Sequence, residues 1–451
     1  MEKLLTALFT ACLICTTAFS QPSQTSQPHK PLGKKEIRDV VTALADSVGR
    51  IYVDEKIATN ISKQLRQQLT KGEYDKVDNP QELSTLLTNQ LIKLSNDKHF
   101  GVNYMPPNAS SGTMRRTMPG SYKHLEAYNY YFNKMEILPG NVGLLELDQF
   151  VPTDYTGQLI VAAMNFFSNS DALIIDLRKC IGGDPRTVAQ LAGYFFQDPV
   201  LLHISYNRAQ NIRNELWTTK TSFQAIERGG PNTSEKIINT DYSKLAAIPI
   251  YILTSNSTFS SAELLSYGLQ ARKRAKIVGE TTGGGGNGIR PFSLPNGFTA
   301  FIPFVQSINA VTGTAGWQNT GVLPDITSIS DKALDVAYST ILQQLLSQTT
   351  DENTRKRLSW VNHLHELRQK NNSANNLHLY AGNYGDVEII HDKDALYYHR
   401  KGDLKKQLEP LDKEHFLLDK QTMLEFSADY QSFRIQRMNG TTSNPYERKK
   451  L

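Results

Sequence analysis

Between Lys34 and Leu94 the apolar positions fall on three stripes of helical period. Ile37, Val40, Val41, Leu44, Val48 and Ile51 form the first; Ile57, Ile61, Leu65 and Leu69 the second; Leu83, Leu86, Leu87, Leu91, Ile92 and Leu94 the third. Steps of three and four residues put each set on one helix face. Gly72 and Asn79-Pro80 punctuate the stripes, as a turn and a helix start require. The pattern predicts a three-helix domain over 34–104, closing where Ser95 to Tyr104 begins a strand-like alternation. Residues 105–137, rich at first in Gly, Ser and Pro, are expected as a loop-rich connection.

From Asn141 the period changes. Short apolar, β-branched runs at 141–147, 172–177, 248–253 and 276–279 alternate with helical patterns at 157–168, 185–196 and after Ser260. Hairpin-like segments reach Ile308, and a long helical pattern follows Ala333. A polar excursion spans about 206–242. Such alternation predicts an α/β core with a central sheet, over 138–348. A charged helical linker is expected at 349–377. Five short strand patterns between Tyr380 and Ile435 predict a small all-β domain over 378–451.

Composition narrows the class. The 451 residues carry a formal charge of +5 and no basic block, so nucleic acid is not an expected partner. Lys3, the apolar stretch Leu4 to Thr17 and Ala18-Phe-Ser20 before Gln21 read as a cleaved export signal over 1–20. A flexible leader over 21–33 follows, and the expected location is the periplasm or the exterior. Cleavage removes Cys12 and Cys15 and leaves Cys180 alone. That count excludes an internal disulfide and cysteine-ligated zinc. No cofactor or metal is expected, nor a membrane-spanning segment after cleavage.

Candidate chemistry begins at Ile248 to Gln270, which reads as a strand, a tight polar turn and a helix. Ser260 sits at the helix mouth, where free N–H groups and the helix dipole favour a developing oxyanion. Ser260 and Glu263 also match a capping box, a purely structural device. A second strand, Leu173 to Leu177, leads into Gly182-Gly183, a pair that allows close backbone approach to a ligand. Gly283 to Gly288 is glycine-rich too. Neither loop carries the Lys-Ser/Thr of a phosphate loop, and a lone glycine-rich loop is more often a turn than a site.

Together these segments resemble the serine peptidase family of the tricorn core, the carboxyl-terminal processing peptidases and interphotoreceptor retinoid-binding protein. Tyr52-Val-Asp54, Gly72-Glu-Tyr74, Asp97-Lys-His99, Ile175-Asp-Leu-Arg178 with its glycine pair, Thr258 to Glu263, Val278 to Thr282 and Gly321 to Asp325 carry the likeness. It is strongest to the retinoid-binding-protein-like bacterial branch, with no PDZ domain. The resemblance implies a crotonase-like or ClpP-like peptidase core. It also implies Ser260 as nucleophile, His99 as general base, and Gly182 or Gly183 with the Ser261 amide as oxyanion hole. The Gly283–Gly288 loop lacks the lysine of a Ser–Lys dyad, so a tricorn-like arrangement is expected. There Gln318 stands where relatives place a glutamate behind the histidine, with Glu263 and Glu280 as alternative carboxylates. Cys180 replaces the usual asparagine of the glycine loop.

The expected function is an exported serine peptidase acting on peptides or unfolded proteins through an acyl-enzyme, with a homo-oligomer left open. The alternative is a weakly active or non-catalytic binder of an apolar ligand or peptide on the same scaffold.

Overall fold

The computed structural model describes residues 31–105, 122–220, 224–227, 236–239, 241–370 and 376–449. The expected export signal and most of the leader lie outside them.

Helices form where the stripes fall: α1 (Lys34–Ile51), α2 (Glu55–Thr70) and α3 (Pro80–Ser95). Asp54 caps α2 by accepting the Ile57 N–H at 2.9 Å. Asn79 caps α3, with Pro80 in the first turn, where no N–H is missed. At the far end Asn96 takes a left-handed φ of 56° and turns the chain. Asp97-Lys-His99 and strand β1 (Gly101–Tyr104) follow.

The expected connection at 105–137 is corrected in its last part. A 3-10 turn at Lys123–Tyr131 leads into β2 (Phe132–Leu138), paired antiparallel to β3 (Val142–Leu147). Its Lys134, Met135 and Ile137 are exposed. As an edge strand β2 lacks the unbroken apolar run that marks a buried one.

The core continues through α4 (Thr153–Phe167), β4 (Ala172–Asp176), α5 (Pro185–Gly193), β5 (Leu201–Asn207), β6 (Ile212–Trp217), β7 (Gln224–Glu227) and β8 (Lys236–Asn239). Next come α6 (Ser243–Ala247), β9 (Ile250–Thr254), α7 (Ser261–Ala271), β10 (Lys276–Gly279), β11 (Gly288–Ser293) and β12 (Phe298–Asn309). Strand β13 (Ile326–Thr327) and helices α8 (Ala333–Gln348) and α9 (Glu352–Gln369) complete it.

Six strands form the main sheet in the order β13-β10-β9-β4-β3-β2, parallel except for β2. Strands β4 and β9 are buried at every residue, as expected for parallel strands covered on both faces. Ile175 and Ile252 pack with Met164, Leu191 and Leu265 of α4, α5 and α7. Ile174 and Leu253, on the other face, pack with Ala337 and Ile341 of α8.

A second sheet runs β1-β12-β5-β6, with β11 also on β12. Phe298, Ala300 and Ile302 of β12 belong to the apolar core of the N-terminal helices. That core thereby delivers β1, and the residues just before it, to the edge of the main sheet's chemistry. The C-terminal region is an eight-stranded antiparallel sheet between Gly382 and Glu447, in chain order. Its core is aromatic, with Tyr380, Tyr384, Phe416, Phe426 and Phe433. No helix among the described residues is long and apolar enough to cross a membrane.

Candidate active site

Strands β4 and β9 are adjacent and parallel, so the loops leaving their C-terminal ends meet. This is where open α/β sheets place ligands. One loop carries Gly182-Gly183 into α5, and the other carries Ser260 into α7.

Ser260 has φ 54° and ψ −118°, a conformation costing a residue with a Cβ about 1–3 kcal/mol. It persists because its surroundings fix it. The Ser260 N–H donates to Glu263 Oε2 at 2.8 Å, and the Phe259 N–H to the Cys180 carbonyl at 3.0 Å. Only Glu263's half of the capping box is made, since the Ser260 side chain forms no cap hydrogen bond. The hydroxyl therefore remains available.

The glycine pair lies against this elbow. A Cβ on Gly182 (φ 96°) would stand 2.7 Å from Ser260 Cβ, and one on Gly183 (φ 138°) 2.1 Å from the Phe150 carbonyl oxygen. Both positions therefore require glycine. The Gly182 amide lies against the Cys180 sulfur. Neither the Gly183 nor the Ser261 amide donates to another group among the described residues. Of the two glycines expected at the oxyanion site, Gly183 is thus the one left with a free N–H. Ser261 Oγ donates to the Gly183 carbonyl at 2.6 Å and locks the two loops in register. Cys180 is fully buried, and burial pushes its thiol up to about 12. It is a packing residue.

His99 arrives from the other core. Its ring packs on Phe259, the residue before Ser260, with centroids 4.7 Å apart. Nδ1 lies 3.2 Å from Asp97 Oδ1, and the same oxygen accepts the His99 backbone N–H at 3.0 Å. Nε2 is buried and has no hydrogen-bond partner. Asp97 is fully buried, with its other oxygen accepting Asn287 Nδ2 at 2.8 Å and the Tyr52 hydroxyl at 3.4 Å. Burial alone would push the Asp97 carboxyl up, but the hydrogen bonds and charge of His99, with Asn287, outweigh it. The carboxyl is held below its usual range.

Gln318 does not stand behind His99, and this corrects the expectation. Its Oε1 accepts the N–H groups of Gly286 at 2.6 Å and Asn287 at 2.9 Å, and its Nε2 donates to Asn319. Glu280 is also elsewhere, accepting the Asn256 and Ser330 amides at 3.3 and 3.2 Å. Glu263 serves the serine's backbone, with no bond to the imidazole. The carboxylate beside His99 is Asp97. It lies in a motif the sequence displays, two residues before the histidine, but a short polar run after a helix reads equally as a helix stop.

The Gly283–Asn287 run is no open cradle. Gly283 donates to the Thr258 carbonyl, Gly284 and Gly285 to Glu263, Gly286 and Asn287 to Gln318. Five successive amides are turned inward, which removes the ligand-binding reading of this loop.

A serine on a strand-to-helix elbow beside a glycine pair, at the end of a parallel sheet, is the architecture of a serine hydrolase. The sequence pattern of peptidase family S41 matches residues 141–328, and that of the N-terminal domain of the family in eukaryotic interphotoreceptor retinoid-binding protein matches 33–135. The chain belongs to peptidase family S41. Among solved structures it is similar to a lipoprotein from Streptococcus agalactiae, at 16% identity and TM-score 0.44, covering 70% of this chain and 99% of that one. The photosystem II D1 C-terminal processing protease matches at 16% identity and TM-score 0.41, over 65% of this chain and 93% of that one. The tricorn protease matches at 12% identity and TM-score 0.45, over 69% of this chain and 37% of that one.

Proposed function

We propose that the chain hydrolyses peptide bonds through an acyl-enzyme on Ser260, with His99 as general base and Asp97 as the carboxylate that orients it. The observation that carries this reading is a buried imidazole tied to a carboxylate at Nδ1 and unpartnered at Nε2. It packs against the residue preceding a strained serine. With Nδ1–H fixed on Asp97, the lone pair is on Nε2 and accepts the Ser260 proton as Oγ attacks the carbonyl. The free Gly183 and Ser261 amides then receive the oxyanion, a contribution of about 3–4 kcal/mol per donor. The protonated imidazole returns its proton to the leaving amine, and water resolves the ester by the same route in reverse. Flexible chains or C-terminal ends are the proposed substrates.

A lysine does reach the glycine-rich loop, since Lys98 Nζ donates to the Gly283 carbonyl at 3.3 Å. It is exposed and spends its donor on that carbonyl, so the Ser–Lys alternative gains no support. The binder alternative drew its support from Gln318, and Asp97 supplies the charge that glutamine lacks. A fluorophosphonate should label the native protein at Ser260 alone. Labelling elsewhere, or none under conditions that label a control serine hydrolase, overturns this reading.

Export is proposed from the sequence of residues 1–20. The secreted protein should have the intact mass of a chain beginning at Gln21, and an uncleaved or lipidated N-terminus would refute it.

A further inference from the structure

We propose that Glu263 is a positioning residue for the nucleophile, its carboxylate clamping the Ser260 elbow and the glycine-rich loop into one reactive geometry. This rests on Ser260 as the nucleophile. Glu263 is fully buried, and among the described residues it has no cationic partner. Four donors converge on it instead. Oε1 accepts Thr282 Oγ1 at 2.5 Å and the Gly284 N–H at 2.7 Å, and Oε2 accepts the Ser260 N–H at 2.8 Å and the Gly285 N–H at 2.7 Å.

A helix cap alone does not explain this. Capping needs one or two donors and is done as well by an exposed side chain, whereas an unpaired buried charge is costly unless every lone pair is engaged. The donor set also selects the ionised form. Three of the four groups are amides, which only donate. The fourth, Thr282 Oγ1, already accepts the Val322 N–H at 2.7 Å and so has its proton free for the carboxylate. A protonated Glu263 would aim its own proton at a donor. Burial holds the carboxyl above its usual range, and the four hydrogen bonds oppose that shift without reversing it.

The arrangement links three things that must stay in register. One oxygen holds the residue whose backbone is strained, and both oxygens hold consecutive amides of the loop. The carbonyls of that loop in turn take Trp317 Nε1 at 3.1 Å and Lys98 Nζ. Asn287, at the loop's end, holds Asp97 and through it His99. Glu263 touches no substrate in this scheme. Its loss therefore misplaces Oγ relative to the imidazole and the free amides, and a misplacement of about 1 Å costs roughly 10²-fold in rate.

Glu263→Gln keeps the shape but sets its NH2 against at least one backbone N–H. We expect kcat for peptide hydrolysis, and the fluorophosphonate inactivation rate constant, to fall about 10²-fold, with KM within about 3-fold of the native value. Glu263→Asp, which keeps the charge and loses reach, should recover part of that rate. Thr282→Val removes one of the four donors and should cost about 10-fold in kcat at unchanged KM. If Glu263→Gln does not fold, Thr282→Val decides by the same kcat and KM criterion. Native kcat in a folded Glu263→Gln protein overturns the proposal, as does a loss expressed wholly in KM. Labelling of the native protein at a residue other than Ser260 would instead break the underlying assignment of the nucleophile.

Discussion

Ser260→Ala and His99→Ala should each lower kcat by about 10⁵–10⁶-fold, and the double substitution should lose little more than either alone. The two side chains act as one unit. Without Oγ there is nothing for the imidazole to deprotonate, and without the imidazole the hydroxyl stays a poor nucleophile at neutral pH. The Gly183 and Ser261 amides remain in both variants, so a residual acceleration of about 10³–10⁴ over water is expected. Thermal melting should change little for Ser260→Ala, because Ser260 makes its structural hydrogen bond through its backbone. His99→Ala also loses the Nδ1 bond to buried Asp97 and the contact with Phe259, and should melt lower while still folding cooperatively. Comparing the three variants by kcat, with melting as the control for folding, checks the expectation. Additive losses would show that serine and histidine work independently, and full activity in His99→Ala would move the base elsewhere.

Asp97→Asn should lower kcat by about 10³–10⁴-fold with the fold retained. Every group facing Asp97 is a donor: the His99 amide, His99 Nδ1–H, Asn287 Nδ2 and the Tyr52 hydroxyl. An asparagine has one oxygen to offer. If it faces His99, the amide end meets Asn287, which relieves the clash by turning its own oxygen round. If it faces the other way, its NH2 forces His99 to carry the proton on Nε2, where it cannot act as a base. Either way the charge that stabilises an imidazolium during attack is gone. The stability signature has a definite sign. The folded-state carboxyl titrates below its unfolded value, so its stabilising contribution is fully present above about pH 4 and is lost as pH falls further. Denaturation curves of native and Asp97→Asn protein should accordingly converge in acid. A kcat within 10-fold of native would show that Asp97 has no part in orienting the base.

The features legible in the sequence are those that burial enforces. Strands β4, β9 and β10 read as apolar runs because parallel strands are covered on both faces, and α1 to α3 read as stripes because one face of each is buried. The elbow at Ser260 and the glycine pair stand out in the sequence because a strand, a tight turn and a helix in succession leave a local pattern. Strands β2 and β6 were missed for the opposite reason. Both lie at sheet edges, with β6 exposed at nearly every residue, so no periodic signal survives in sequence. The role given to Gln318 failed because it rested on one position of correspondence. The side chain there is engaged by two loop amides, a long-range bond no local pattern encodes. Asn287, which closes the site by holding Asp97 from 190 residues away, was hidden inside a run read as a turn.

The proposed nucleophile and base stand beside two separate apolar cores, one closed by α4, α5 and α7 and the other by the N-terminal helices on β12. Either core can collapse without bringing His99 to Ser260. On the proposed mechanism, hydrolytic competence should consequently be among the last properties the chain acquires on folding, since closing so distant a contact waits on both halves being built. On the same mechanism a newly made chain should then be inert towards its neighbours and towards itself until both halves are built.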